Sequence, residues 1–146
     1  MPRLTIDEVS YRLAALADGE GCFSIIPGGL RRDGKRPFTC RFIVQLREDD
    51  RPFLELMRRE VGLGYVGRGR KETVGGANPT VRWIIARQFD CLQLIRCFDR
   101  YPLLSKKARD YAIWREAVKV WPKRRWDRMA ELHAELKATR VYRPHL

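Results

Sequence analysis

From Phe38 to Arg47 the chain alternates without a break for ten residues, and no other stretch leaves the fold so little choice. Phe38, Cys40, Phe42, Val44 and Leu46 point one way. Thr39, Arg41, Ile43, Gln45 and Arg47 point the other. Successive side chains of a strand lie on opposite faces, so this is a half-buried strand with a polar, basic outer face.

The elements around it follow from spacing and punctuation. Thr5-Ile6-Asp7-Glu8 fits a capping box and opens a helix that is expected to end near Ala17 or Asp18. Its apolar face is expected from Ile6, Val9, Leu13 and Leu16. Gly19 and Gly21 close it, and Cys22–Pro27 reads as a strand. A second helix starts at Asp49-Asp50-Arg51-Pro52 and stops at Gly62-Leu63-Gly64. Tyr65–Arg70 and Thr80–Arg87 read as a hairpin around Gly75-Gly76-Ala77-Asn78-Pro79. Gln88–Phe98, Ser105–Val120 and Trp126–Ala138 read as helices. Met57, Trp114, Trp121 and Met129 are expected in the core, and His133 on a packing or surface position. The order α-β-β-α-β-β-α plus two C-terminal helices fits an α+β domain with one four-stranded antiparallel sheet. One domain is expected over residues 1–146, with a core at about 4–120 and a helical extension at 121–146.

Charge narrows the partner. Lys and Arg total 30 against 18 Asp and Glu, a net charge of +12. Arg31–Arg47 holds six basic residues and one acidic, and Gly64–Arg87 holds five and one. Both are hairpins, so the outer face of the sheet is basic. A β-ribbon fits the major groove, and phosphate contacts dominate affinity for a polyanion. No apolar run is long enough for a transmembrane helix, and no membrane partner is expected. Met1-Pro2-Arg3-Leu4-Thr5 lacks the apolar core of a signal peptide, which sets the expectation of an intracellular protein. Cys22, Cys40, Cys91 and Cys97 have no Cys-x-x-Cys pairing, and the only histidines are His133 and His145. That argues against a zinc cluster and against histidine-based nuclease chemistry.

Leu13-Ala14-Ala15-Leu16-Ala17-Asp18-Gly19-Glu20-Gly21 is an apolar small-residue helix running into two carboxylates interleaved with glycine. It resembles the LAGLIDADG motif of homing endonucleases. The likeness extends through the element order, Val61-Gly62-Leu63-Gly64-Tyr65-Val66 and Tyr101-Pro102-Leu103-Leu104-Ser105-Lys106-Lys107, over roughly Leu4 to Val120.

The resemblance implies a site and an assembly. With one motif and no internal repeat, it implies a homodimer around a two-fold axis. Leu13, Ala14, Ala15 and Asp18 are assigned to the seam, with Asp18 also closing the helix. Ala15 stands where the motif has glycine, which implies a slightly wider seam. Glu20 takes the metal-ligand position, helped by the Gly19 carbonyl. Mg²⁺ is the expected metal, with Mn²⁺ substituting and Ca²⁺ binding without supporting cleavage. Gln45 is assigned to water positioning. A rigid count from the Gly-x-Gly turn lands near Leu46, but strand parity favours Gln45. Lys107 fits the active-site lysine by its spacing from Pro102, with Lys106 beside it, and Arg51 is a further cation near the scissile phosphates.

Thr39, Arg41, Ile43, Arg47, Arg68, Arg70 and Arg82 are the expected DNA contacts on the sheet. Arg31, Arg32, Lys35 and Arg36 are expected to grip the ends of the site. The expected function is site-specific cleavage of both strands of DNA at a long pseudo-palindromic target, by a protein encoded in a mobile intron. The alternative is a non-cleaving intron RNA maturase or DNA-binding protein of the same fold.

Overall fold

A computed structural model of the protein describes residues 3–71 and 76–141. Met1, Pro2, Gly75 and His145, which entered the sequence reading, lie outside the described residues. The chain forms α1 (Ile6–Glu20), β1 (Gly21–Pro27), β2 (Phe38–Arg47), α2 (Arg51–Val61), β3 (Tyr65–Arg68), β4 (Thr80–Ile85), α3 (Gln88–Arg100), α4 (Lys107–Val120) and α5 (Trp126–Thr139). Short 3₁₀ turns at Glu48–Asp50 and Trp121–Lys123 precede α2 and follow α4. The expected α+β order therefore holds, element for element.

The capping box forms as expected. Thr5 Oγ1 accepts from Glu8 N at 3.2 Å, and Glu8 Oε2 accepts from Thr5 N at 2.7 Å. The helix then runs past its expected end and includes Gly19 and Glu20. The cause is tertiary: the carbonyl and the carboxylate of Asp18 are both held by residues 104–105, so the last turn cannot fray. Its buried side is Val9, Leu13, Ala14 and Ala17. Ile6, expected on that face, is 83% exposed because it begins the first turn, beyond the packed layer.

The four strands form one antiparallel sheet in the order β1-β2-β4-β3. Phe23, Ile25, Phe38, Cys40, Phe42, Val44, Val81, Trp83 and Ile85 are its buried side chains on the helix-covered face. Phe23 is central, with ring centroids 5.1–6.0 Å from Phe42, Phe98, Tyr111 and Trp114. Trp114, Trp121, Met57 and Met129 are buried as expected. α5, in the expected helical extension, shares this core through Met129, Leu132 and Leu136. His133 packs on Phe38, and burial pushes its pKa down. All four cysteines are free thiols, and burial raises those of Cys40 and Cys91, the latter to about 12.

Two glycines are fixed by geometry. Gly64 has φ +71°, and a Cβ there would sit 2.2 Å from the Ile84 carbonyl oxygen. Gly69 and Arg70 both pair with Thr80, since Gly69 N donates to Thr80 O and Thr80 N donates to Arg70 O. A Cβ on Gly69 would meet Thr80 Oγ1 at 2.2 Å. This two-against-one pairing ends β3 two residues before its expected limit.

Candidate active site and nucleic-acid interface

The end of α1 is tied to the loop before α4 by a compact network. Asp18 Oδ1 accepts from the amides of Leu104 and Ser105, at 2.9 and 2.8 Å. Ser105 Oγ donates to the Asp18 carbonyl at 3.0 Å. Lys107 Nζ donates to the Gly21 carbonyl at 2.6 Å. The Lys107 ammonium is thereby held at the backbone of the residue that follows Glu20. Lys106 is exposed beside it. Ser105 was missed as a positioning residue by the sequence reading. A hydroxyl just before a lysine pair at a helix start was the available signal.

Asp18, expected at the seam and at the helix end, has its carboxylate engaged within its own chain at the helix end. Leu13 and Ala14, expected at the seam, are corrected: at 1% and 7% exposure they are spent on the chain's own core. The outward stripe of the motif helix is instead Glu8, Arg12, Ala15 and Gly19, at spacings of four, three and four residues. Of the residues expected at the seam, Ala15 is the one on this stripe. Gly21 is required locally, since a Cβ there would lie 2.7 Å from Ala17 O and 2.8 Å from Phe42 Cε2. A Cβ on Gly19 would meet nothing within 4 Å.

Glu20 and Gly19 are exposed at the helix end. Carbonyls in the last turn of a helix have no intrahelical partner, so the Gly19 oxygen is a candidate ligand beside the Glu20 carboxylate. Among the described residues no three His, Cys, Asp or Glu side chains cluster to hold a metal. One chain thus offers a hard cation an oxygen donor set of the right chemistry but too few side chains to complete it.

Strand register places Gln45 beside this end. Gly21 pairs with Val44, so α1 enters the sheet next to Gln45. Gln45 pairs in turn with Arg82, whose Nε donates to Gln45 Oε1 at 2.6 Å. The oxygen of Gln45 therefore accepts from Arg82, and its amide N–H groups make no hydrogen bond among the described residues. Arg41 shares the outer face of β2, and its Nε is buried without a hydrogen-bond partner among the described residues. A buried donor left unpaired is costly, which fits a residue completed by an external acceptor. Thr39 is exposed on the same face.

Other basic candidates are placed differently from expectation. Arg68 pairs with Val81, a core residue, while Arg82 pairs with Gly67. Alternation therefore sends Arg68 and Arg82 to opposite faces. Arg68 acts electrostatically on Glu48 and lowers its pKa, after the larger effect of Arg51. Arg70 donates to the Asn78 carbonyl at 3.2 Å. Ile43 has the expected parity but is 7% exposed between Cys22 and Ile84 in register, so it presents little surface. Arg47 is paired to Asp49 through both carboxylate oxygens. Arg51 is held by Glu48 at 2.5 Å and Glu55 at 3.7 Å. Its charge, expected near the scissile phosphates, is thus shared with two carboxylates of its own chain. Arg36 donates to the Gly28 carbonyl at 2.8 Å and shapes the β1–β2 loop, where Arg31, Arg32 and Lys35 are exposed.

Comparison with known proteins gives a consistent picture. A family model described as LAGLIDADG endonuclease matches residues 13–118. A protein of Schizosaccharomyces pombe named probable intron-encoded endonuclease Cox1-I1b is 26% identical over 138 residues, covering 90% of this chain and 34% of its own length. The chain thus spans about a third of that relative. Among solved structures, the LAGLIDADG meganuclease I-AabMI bound to uncleaved DNA superposes with a TM-score of 0.69 at 27% identity, covering 88% of this chain and 43% of that one. The archaeal intron-encoded homing endonuclease I-Vdi141I, complexed with DNA, has a TM-score of 0.76 at 20% identity, covering 97% and 91% of the two chains.

Proposed function

This chain belongs to the LAGLIDADG endonuclease family, and from that premise we propose that it is a site-specific DNA endonuclease acting as a homodimer. The observation that carries the reading is the joint placement of Glu20, Gln45 and Lys107 where α1 meets the sheet. Two copies packed through the Glu8–Arg12–Ala15–Gly19 stripe would set two Glu20 carboxylates side by side. The oxygen donors that one chain lacks then come from the second copy, from water and from the phosphates.

Glu20, with the Gly19 carbonyl, would hold Mg²⁺ or Mn²⁺, which supplies an activated water and stabilises charge on the leaving oxygen. The chain's own groups do the rest. Thr39, Arg41 and Arg82 face the duplex from the sheet, and Arg31, Arg32 and Lys35 hold its flank. Gln45, with its oxygen pinned by Arg82, directs N–H donors to the attacking water or to a phosphate oxygen. Lys107, steadied by the Gly21 carbonyl, offers a cation to the charge developing on the phosphate. Among the described residues no helix is long and apolar enough to cross a membrane. The proposed setting is inside the cell, on the genome that carries the intron.

The test is cleavage of a duplex made by fusing the sequences that flank this reading frame's intron, in Mg²⁺ and then in Ca²⁺. Glu20→Gln is expected to lower the rate by more than the roughly 10–100-fold that loss of a supporting metal partner costs, with DNA binding kept. Wild-type cleavage by the variant would remove Glu20 from the site. Binding of intron RNA with no cleavage by the parent chain would replace the nuclease reading with a maturase.

A further inference from the structure

The end of the sheet away from Glu20 carries a basic surface that the metal end does not account for. β1 leaves the α1 junction at Gly21 and reaches the far end at Pro27, where the β1–β2 loop begins. The turn between α4 and α5 sits against the same end. A 240 Å³ cavity there is walled by Lys35 of the loop together with Arg124, Arg125, Trp126, Asp127 and Arg128. The Arg31 guanidinium lies 5.9 Å from the Trp126 ring centroid, a cation–π contact that ties loop to turn.

The charges of this surface are largely uncompensated. Arg128 is paired with Glu116 and Glu131. Lys123, Arg124 and Arg125 are consecutive and exposed, and they form no ion pair among the described residues. Arg124 has φ +53°, the only non-glycine residue with positive φ among those described. The turn is closed by Arg124 N donating to Trp121 O and Trp126 N donating to Arg124 O. Glycine or asparagine suits that conformation better, so an arginine there spends local stability on a cation. Three neighbouring cations repel one another unless a polyanion lies across them.

We propose that the α4–α5 turn and the β1–β2 loop form a clamp for the sugar-phosphate backbone of duplex DNA, outside the base pairs facing the sheet. This rests on the reading of the protein as a DNA-binding endonuclease. The seven residues of β1 span about 23 Å at roughly 3.3 Å per residue. At about 3.4 Å per base pair, the clamp meets phosphates roughly seven base pairs outward from the metal end. Its contacts are sequence-independent. They add affinity and fix register without reading bases.

The test compares the salt dependence of binding to a long mixed-sequence duplex for three proteins. One is the parent and one is K123Q/R124G/R125Q, in which glycine suits the left-handed position. The third, R96Q/K119Q/K137Q, removes the same charge from exposed helix positions. Circular dichroism melting checks that all three fold. The clamp variant is expected to lose one to three from the slope of log K against log salt per protomer, at about 0.9 per phosphate contact. The control is expected to change much less. Equal slopes for clamp variant and control overturn the clamp while leaving the endonuclease reading intact. A parent that fails to bind duplex DNA even at low salt overturns both.

Discussion

Two glycines flank Glu20, and their own chain explains one of them. Gly21 is packed against the backbone of Ala17 and the ring of Phe42. Gly19 faces open space, in a helix where glycine costs about 1 kcal/mol relative to alanine. Gly21→Ala should therefore destabilise the folded chain by about 1–3 kcal/mol through overpacking, measured by urea unfolding. Gly19→Ala should leave the protomer as stable or slightly more so, yet weaken self-association, measured by sedimentation equilibrium. An associated Gly19→Ala protein with full activity would show that the stripe is not a seam. Composition cannot separate these two residues. The pattern Gly-Glu-Gly is symmetric in sequence, and the difference lies in which side of the helix end faces Phe42, a residue twenty-one positions later in the chain.

At the scale of elements, the strands were the most legible part of the chain. β2 alternates because one face is buried and the other is not, so its limits and parity could be read directly; the register that sets Gln45 next to the α1 junction could not. Helix ends and hairpin faces were less legible, because long-range contacts decide them. Asp18 extends α1 and delays the start of α4 by recruiting the amides of residues 104 and 105. The pairing of Gly69 and Arg70 with one Thr80 cuts β3 short, and register turns Arg68 away from Arg82. The Asp18 link also fixes the segment that bears Lys107, and through it the proposed site. Asp18→Ala should cost about 1–3 kcal/mol through two unpaired amides and slow cleavage while DNA binding persists. Asp18→Asn keeps an acceptor oxygen and should restore most of both. An alanine variant with parental stability and rate would show that the link is dispensable.

For the whole molecule, one outer sheet face carrying Arg41 and Arg82 and a pair of oxygen donors at the end of α1 are what the proposed pairing of two copies would complete. I-Vdi141I, similar in length to this chain, and I-AabMI, of which the chain covers 43%, share one protomer-sized unit of fold. The single motif carries the expectation of a pair. Which residues of the motif helix face inward was not legible, because a helix rich in small residues leaves that open until its packing is known. The clamp at the far end was hidden for a similar reason. Lys123-Arg124-Arg125 reads as an ordinary basic turn until the fold sets it beside Arg31 and Lys35.

Mixed dimers test the shared site most directly. Parent and Glu20→Gln chains carrying different affinity tags can be co-expressed, purified through both tags, and given a supercoiled plasmid containing the fused intron flanks with Mg²⁺. Parent homodimers should yield linear plasmid, and Glu20→Gln homodimers should leave it supercoiled. Mixed dimers should depart from the parent, either stopping at the nicked circle or losing cleavage. Mixed dimers that linearise the plasmid at the parental rate would contradict an active site built from two copies of Glu20.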